Sequence, residues 1–144
     1  MHQNRATDVS YGYIEIKDDD DSTEYIAQVC FTLDDEQYCY RAKETGEVRL
    51  VEQDEENIEE ALEDAIEEGT ELSGLYEKWK ASATVDISER EAVVAFNEGK
   101  SGFIVWLDVV PGVMYTLSMD DNCTQDLLSE TAYRCFETIQ GDSK

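Results

Sequence analysis

Tyr25-Ile26-Ala27-Gln28-Val29-Cys30-Phe31-Thr32-Leu33-Asp34-Asp35-Glu36-Gln37-Tyr38-Cys39-Tyr40 is the stretch whose reading decides the fold of this 144-residue chain. Tyr25, Ala27, Val29 and Phe31 alternate with Ile26, Gln28, Cys30 and Thr32, the two-residue period of a half-buried strand. Asp34-Asp35 turns the chain, and Tyr38 and Tyr40 resume the same apolar face, so the segment reads as a hairpin. A two-residue loop sets the register, with Leu33 opposite Glu36 and Cys30 opposite Cys39. Counting outward from a hydrogen-bonded 33:36 pair puts 30:39 on a non-hydrogen-bonded pair. There side chains approach most closely, at a Cα separation of about 4.5–5.5 Å. Both cysteines lie opposite the Tyr/Val/Phe face. A disulfide between Cys30 and Cys39 fits this geometry, and so do two reduced cysteines in ordinary strand positions.

Upstream, Tyr11 to Ile16 alternates as a strand, and Lys17-Asp18-Asp19-Asp20-Asp21-Ser22 is too charged and turn-prone for anything but a loop. Residues 1–10 read as a flexible N-terminal segment, and residues 11–140 as a single domain. Downstream, Ile58, Ala61, Leu62, Ala65 and Ile66 recur at helical spacing, which predicts a helix over about residues 55–68 with Gly69 as its C-cap. Asp54, Glu55 and Glu56 suit the positive end of its dipole, whereas Glu67 and Glu68 oppose the other end. Leu72, Gly74, Tyr76 and Lys78 alternate within Glu71 to Trp79 and predict another strand.

Ala92 to Phe96 is a further strand, Asn97-Glu98-Gly99 a turn, and Phe103 to Val109 a strand apolar on both faces, as in a covered central position. Val110-Pro111-Gly112-Val113 reads as a type II turn, and Val113 to Met119 returns antiparallel. A closing helix over about residues 124–139 turns Leu128, Ala132, Cys135 and Ile139 inward. Cys123 and Cys135 are about 18 Å apart along a helix and cannot pair with each other. A weak echo overlays Ala27–Ala42 on Gly102–Leu117 at a displacement of 75 residues, each hairpin preceding a helix. The expected fold is therefore α+β: one domain, a mainly antiparallel sheet of six or seven strands, and two amphipathic helices packed on it.

Thirty-five acidic residues against eleven basic ones leave a formal charge of −24, and no lysine or arginine interrupts the carboxylates between Leu50 and Lys78. A surface this negative repels phosphate backbones and anionic headgroups, which argues against nucleic-acid partners. The longest apolar run, Phe103 to Leu107, is far short of a membrane span, so no membrane insertion is expected. His2 is the only histidine, which removes histidine-activated nucleophiles, histidine bases and histidine-ligated metals. No phosphate-binding glycine loop and no CxxC pair occurs, and nothing singles out two acids as a glycosidase pair. No catalytic residue, cofactor or metal site is assigned, and the chain reads as non-enzymatic. Asp18 to Asp21 with Glu24 offers oxygen ligands without the calcium-loop pattern, a solvated loop rather than a site. The tyrosines Tyr11, Tyr13, Tyr25, Tyr38 and Tyr40 fall on adjacent strands, where they serve either as packing or as an exposed recognition surface.

Tyr11-Gly12-Tyr13-Ile14, Val29 to Asp34 through Tyr38 to Ala42, Leu72 to Tyr76 before Trp79, and above all Val105 to Met119 carry a resemblance. They resemble an uncharacterised family of small secreted or lipoprotein-like domains from anaerobic gut bacteria, over nearly the whole of Tyr11 to Gly141. The resemblance implies an extracytoplasmic location; it brings no catalytic motif and no activity to carry over, and so informs compartment and not chemistry. The chain departs from it in showing no export leader or lipobox cysteine. The expected function is a non-enzymatic extracytoplasmic cell-envelope domain that binds a protein, peptide or small ligand. The alternative is an acidic inhibitor or immunity protein, in its sharpest form a DNA mimic, that occupies a cationic site on a partner.

Overall fold

In the computed structural model, residues 7–17, 23–44, 58–87, 90–108 and 112–142 are described. The strands are β1 (Thr7–Lys17), β2 (Thr23–Leu33), β3 (Glu36–Glu44), β4 (Ala81–Ile87), β5 (Arg90–Phe96), β6 (Gly102–Asp108) and β7 (Val113–Met119), with helices α1 (Ile58–Ser73) and α2 (Gln125–Asp142). They form one seven-stranded sheet in the order β1-β2-β3-β7-β6-β5-β4, and every neighbouring pair is antiparallel. The expected α+β architecture is present, with one helix on each face of the sheet.

The hairpin register is the one its loop dictates. Asp34 and Asp35 both take left-handed backbone (φ 51° and 66°), as a type I′ turn requires. Leu33 pairs with Glu36, and Cys30 with Cys39. Cys30 and Cys39 are joined by a disulfide at a Cα separation of 4.1 Å, slightly closer than the separation expected of such a pair. Cys123 and Cys135 are unpaired thiols.

The alternation of each strand divides the core in two. On one face Tyr38, Tyr40, Ala92, Val94, Phe96, Ile104, Trp106, Leu117 and Met119 pack with Leu128 and Ala132 of α2. On the other, Ile26, Val93, Ala95, Phe103, Val105, Leu107 and Met114 pack with Ala65 and Leu72 of α1. β6 is buried on both faces, as its unbroken apolar run predicts. Thr124 caps α2 by accepting a hydrogen bond on Oγ1 from Leu127 N at 3.1 Å, and Asp126 lies in the first turn, where the dipole favours it. Leu128 and Ala132 are fully buried and Cys135 half-buried, while the side chain of Ile139 lies outside the described residues.

Five readings of the sequence need correction. β1 begins at Thr7, so residues 7–10 belong to the sheet. Helix α1 does not stop at Gly69 but runs on to Ser73, and the predicted strand over Glu71–Trp79 is its last turn and an irregular exit. Gly69 is there for proximity: a Cβ on it would clash with the Cε1 edge of the Phe103 ring, so the missing side chain lets α1 approach β6. The true end is Gly74, at φ 79°, whose N–H donates to Thr70 O at 2.9 Å. β4 is a strand that the sequence reading missed. Lastly, the echo holds only along one seam. Pairs Tyr40↔Leu117 and Ala42↔Tyr115 in β3 and β7 are interchanged by a 75-residue displacement, but α1 and α2 lie on opposite faces, so no hairpin-plus-helix unit is repeated.

Helix α1 has no basic residue in its last turn. The missing cation arrives from the sheet: Arg41 of β3 donates from Nη1 to Leu72 O at 3.0 Å and from Nε to Gln28 Oε1 at 2.7 Å. Partial burial pulls the Arg41 guanidinium below its usual pKa range, the cost of holding a charge against the negative end of a helix.

Candidate functional site

The register carries one side-chain parity across the whole sheet. Tyr11 stands opposite Val29, Tyr13 opposite Ala27, and Glu15 opposite Tyr25. Val29 stands opposite Tyr40, and Ala27 opposite Ala42. All of these residues share the face that α2 covers further along. Helix α2 packs on β4, β5, β6 and β7, and among the described residues it does not pack comparably on β1, β2 or β3. On this side Phe31 and Leu33 of β2 are half-buried against its cluster, while Tyr11, Tyr13, Tyr25 and Ala27 are exposed.

The five tyrosines of one sequence pattern therefore have two fates. Tyr38 and Tyr40 are core residues: Tyr38 stacks on Phe31 at 5.5 Å, and Tyr40 meets Trp106 edge-on at 5.8 Å and Tyr115 at 5.7 Å. Tyr11, Tyr13 and Tyr25 are 80%, 79% and 61% exposed. Ala27 between them is also exposed. The row Tyr13–Ala27–Ala42–Tyr115 thus crosses four strands with an aromatic residue at each end and alanines in the middle.

The ribbon is fixed from behind. On its opposite face Ile26 is buried, and Ile14 packs against the cluster under α1. The tyrosines therefore stand on a sheet whose other side is anchored, a preorganised surface rather than a loose arm. Near its start β1 carries an irregularity. Thr7 pairs with Thr32 and Ser10 with Cys30, so Asp8 and Val9 together oppose Phe31, with Asp8 at φ 51°. Such a bulge re-aims the strand and is a common device beside sites at sheet edges. Glu15 and Glu44, both exposed, add carboxylates at one end of the same face, and Asp34 and Asp35 close the other.

Cys30 and Cys39 lie on the reverse face, in a depression lined by Asp8, Gln37, Ser118 and Asp120. Ser118 donates from Oγ to Cys39 O at 3.3 Å, so the bridge is tied to β7 as well as across the hairpin. The other two cysteines are poor nucleophiles: burial pushes the Cys123 thiol up to about 12 and that of Cys135 up to about 11.

Both tryptophans are packing residues. Trp106 is fully buried, and Trp79 packs edge-on against Phe103 at 5.4 Å while its Nε1 donates to Thr70 Oγ1 at 3.2 Å. Asp18 to Asp21 lie outside the described residues. Among the described residues no cluster of three metal-ligating side chains occurs. Asp120 and Asp121 are followed by Asn122, whose amide donates to the Glu36 carboxylate at 3.4 Å. No helix among the described residues is long and apolar enough to cross a membrane.

Comparison of the chain with family models, with curated proteins and with solved structures finds no match. The assignment of a site therefore rests on the geometry alone.

Proposed function

We propose that the protein is a non-enzymatic binding module of the extracytoplasmic cell envelope, and that its partner docks on the face formed by Tyr11, Tyr13 and Tyr25. The observation that carries this reading is the exposure of three aromatic side chains on one face of the anchored β1–β2 ribbon, in a sheet whose β5, β6 and β7 have a helix on each face. Tyrosine supplies a large contact area at little entropic cost and keeps a hydroxyl for orientation, which is why it is enriched in recognition surfaces. The Cys30–Cys39 bridge supports the compartment, since structural disulfides persist where the surroundings are oxidising.

The test is site-specific photo-crosslinking in cells that make the protein. A photoreactive residue at Tyr13 should trap one defined partner, and the same residue at Ser82 on the opposite edge strand should not. The purified partner should then bind the Tyr13→Ser variant about tenfold more weakly, the loss of one good aromatic contact. Equal trapping at both positions contradicts the reading.

The alternative, an acidic inhibitor or immunity protein, draws on exposed Glu63, Asp64, Glu67 and Glu71 of α1. Reversing Glu59, Glu60, Glu63 and Glu67 to lysine separates the two readings. Binding that survives this change and is lost with the tyrosines belongs to the ribbon.

A further inference from the structure

We infer that the occupant of the tyrosine face is a cationic, extended segment of another protein, which docks as an eighth strand along β1 with basic side chains at every second position. The inference rests on the tyrosine face being the binding surface, and it adds the chemistry and the geometry of what binds there.

The geometry follows from register. In the β2–β3 hairpin the pairs 33:36, 31:38, 29:40 and 27:42 are the hydrogen-bonded ones, so the odd-numbered residues of β2 direct their main-chain groups towards β3. The even-numbered residues of β2 serve β1, in the pairs 30:10, 28:12 and 26:14. Consequently Tyr11, Tyr13 and Glu15 turn their N–H and C=O groups to the outer side of β1. Among the described residues β1 pairs with β2 alone. The residues whose side chains form the exposed face are thus the ones whose backbone offers hydrogen bonds to an incoming strand. A partner residue bonded to Tyr11 or Tyr13 places its own side chain on the tyrosine face, and its next neighbour falls on the reverse face.

Gly12 shapes that reverse position. A Cβ built on it would meet no atom within 4 Å, so the space beside it is open to a large side chain of the added strand. The docked sequence accordingly alternates, with one residue type over Tyr11, Tyr13 and Glu15 and an apolar residue over Gly12.

Charge selects the first type. The chain carries −24, and Glu15 continues the row beyond Tyr13 on the same face. Lysine or arginine over Tyr11 and Tyr13 gains the attraction of a cation to an aromatic face, and a third over Glu15 gains an ion pair. Strand addition supplies affinity through the main chain, and the alternate side chains supply specificity. A second copy of this chain is the wrong occupant, because it would set −24 against −24.

The probe is an end-blocked alternating lysine–valine heptapeptide, titrated calorimetrically at ~0.15 M NaCl, where exposed charges are largely screened. The wild-type protein should bind it, and the glutamate–valine counterpart should not bind. The Tyr11→Ser/Tyr13→Ser double variant, shown folded by circular dichroism, should bind it at least about tenfold more weakly. N-methylation of the lysines removes the donors that face β1 and should weaken binding by about tenfold or more, whereas N-methylation of the valines should not.

Binding that is lost with the tyrosines but indifferent to lysine N-methylation overturns strand addition and leaves the tyrosine surface standing. Binding indifferent to the tyrosines overturns both. No binding of the lysine–valine peptide, or a dimer in sedimentation that the tyrosine double variant abolishes, overturns the inference while leaving the crosslinking test of the surface itself to stand.

Discussion

Two regions of this sheet are written differently and end in different surroundings: β5 and β6 carry unbroken apolar runs, whereas β1 and β2 alternate. At the β5–β6 end Ala92 to Ala95 and Phe103 to Trp106 are fully buried, since α1 covers one face and α2 the other. At the β1–β2 end one face holds Ile26 at 3% exposure while the other holds Tyr11 at 80%. Alternation fixes which residues share a face but says nothing about whether a helix reaches that face. Coverage is a property of connections and helix lengths, and α2 simply packs over β4 to β7. A half-covered antiparallel sheet is stable in this form because one anchored face is enough to hold a strand.

The comparison breaks first, and most severely, at the covered end. Leu128 of α2 is fully buried in the cluster with Trp106 and Tyr38. Leu128→Ala is expected to cost about 2–5 kcal/mol through the cavity it leaves. A urea melt that matches wild type would mean that α2 is not part of the core.

The next effect is at the boundary between the two regions. Replacing both Cys30 and Cys39 by serine opens a short loop in the unfolded chain and should cost about 2–3 kcal/mol. The same loss should follow from reduction of the wild-type protein with a thiol reagent, read as a lower urea midpoint. An unchanged midpoint would show that the hairpin is held without its bridge.

Arg41 joins the regions through the helix end that it caps. Arg41→Met removes the charge-assisted bonds to Leu72 O and Gln28 and should cost about 1.5–3 kcal/mol. Amide exchange in the last turn of α1 should quicken more than exchange in α2. Uniform quickening would make Arg41 a general packing residue rather than a cap.

A smaller effect comes with alkaline pH. Burial holds the Cys123 thiol up to about 12 against an ordinary value of 9.0, and Tyr38 is likewise raised by burial. The unfolded chain therefore loses these protons before the folded one does. The stability they confer is complete below pH 9 and declines as pH rises from 9 towards 12. In Cys123→Ala that decline in melting temperature should be shallower. A decline of equal slope would place the alkaline sensitivity elsewhere.

Much of this was legible in the sequence, and the exceptions have physical causes. The Asp34-Asp35 loop specified the Cys30:Cys39 register because a two-residue turn admits one pairing. The apolar run of β6 announced a strand covered on both faces. β4 escaped notice because Ala81, Ala83 and Val85 alternate with Ser82, Thr84 and Asp86, a weak contrast suited to a half-exposed edge. Gly69 passed for a helix terminator because a glycine needed for close approach to Phe103 looks the same in sequence as one needed for positive φ. The candidate site was legible as a cluster of tyrosines but not as a surface, since Tyr13 and Tyr40 occupy equivalent places in the pattern and differ in their neighbours in the fold: Tyr40 lies against Trp106 and Tyr115, whereas Tyr13 is exposed.

The most direct test of the account removes Tyr11, Tyr13 and Tyr25 together, each replaced by serine. If they serve a partner and not the fold, the urea midpoint should stay within about 0.5 kcal/mol of wild type, the range of ordinary surface substitutions. In the same variant, capture of the partner trapped at Tyr13 should be lost. A variant destabilised on the scale of Leu128→Ala, or one that binds that partner as wild type does, would contradict the division of this sheet into a covered core and an open recognition face.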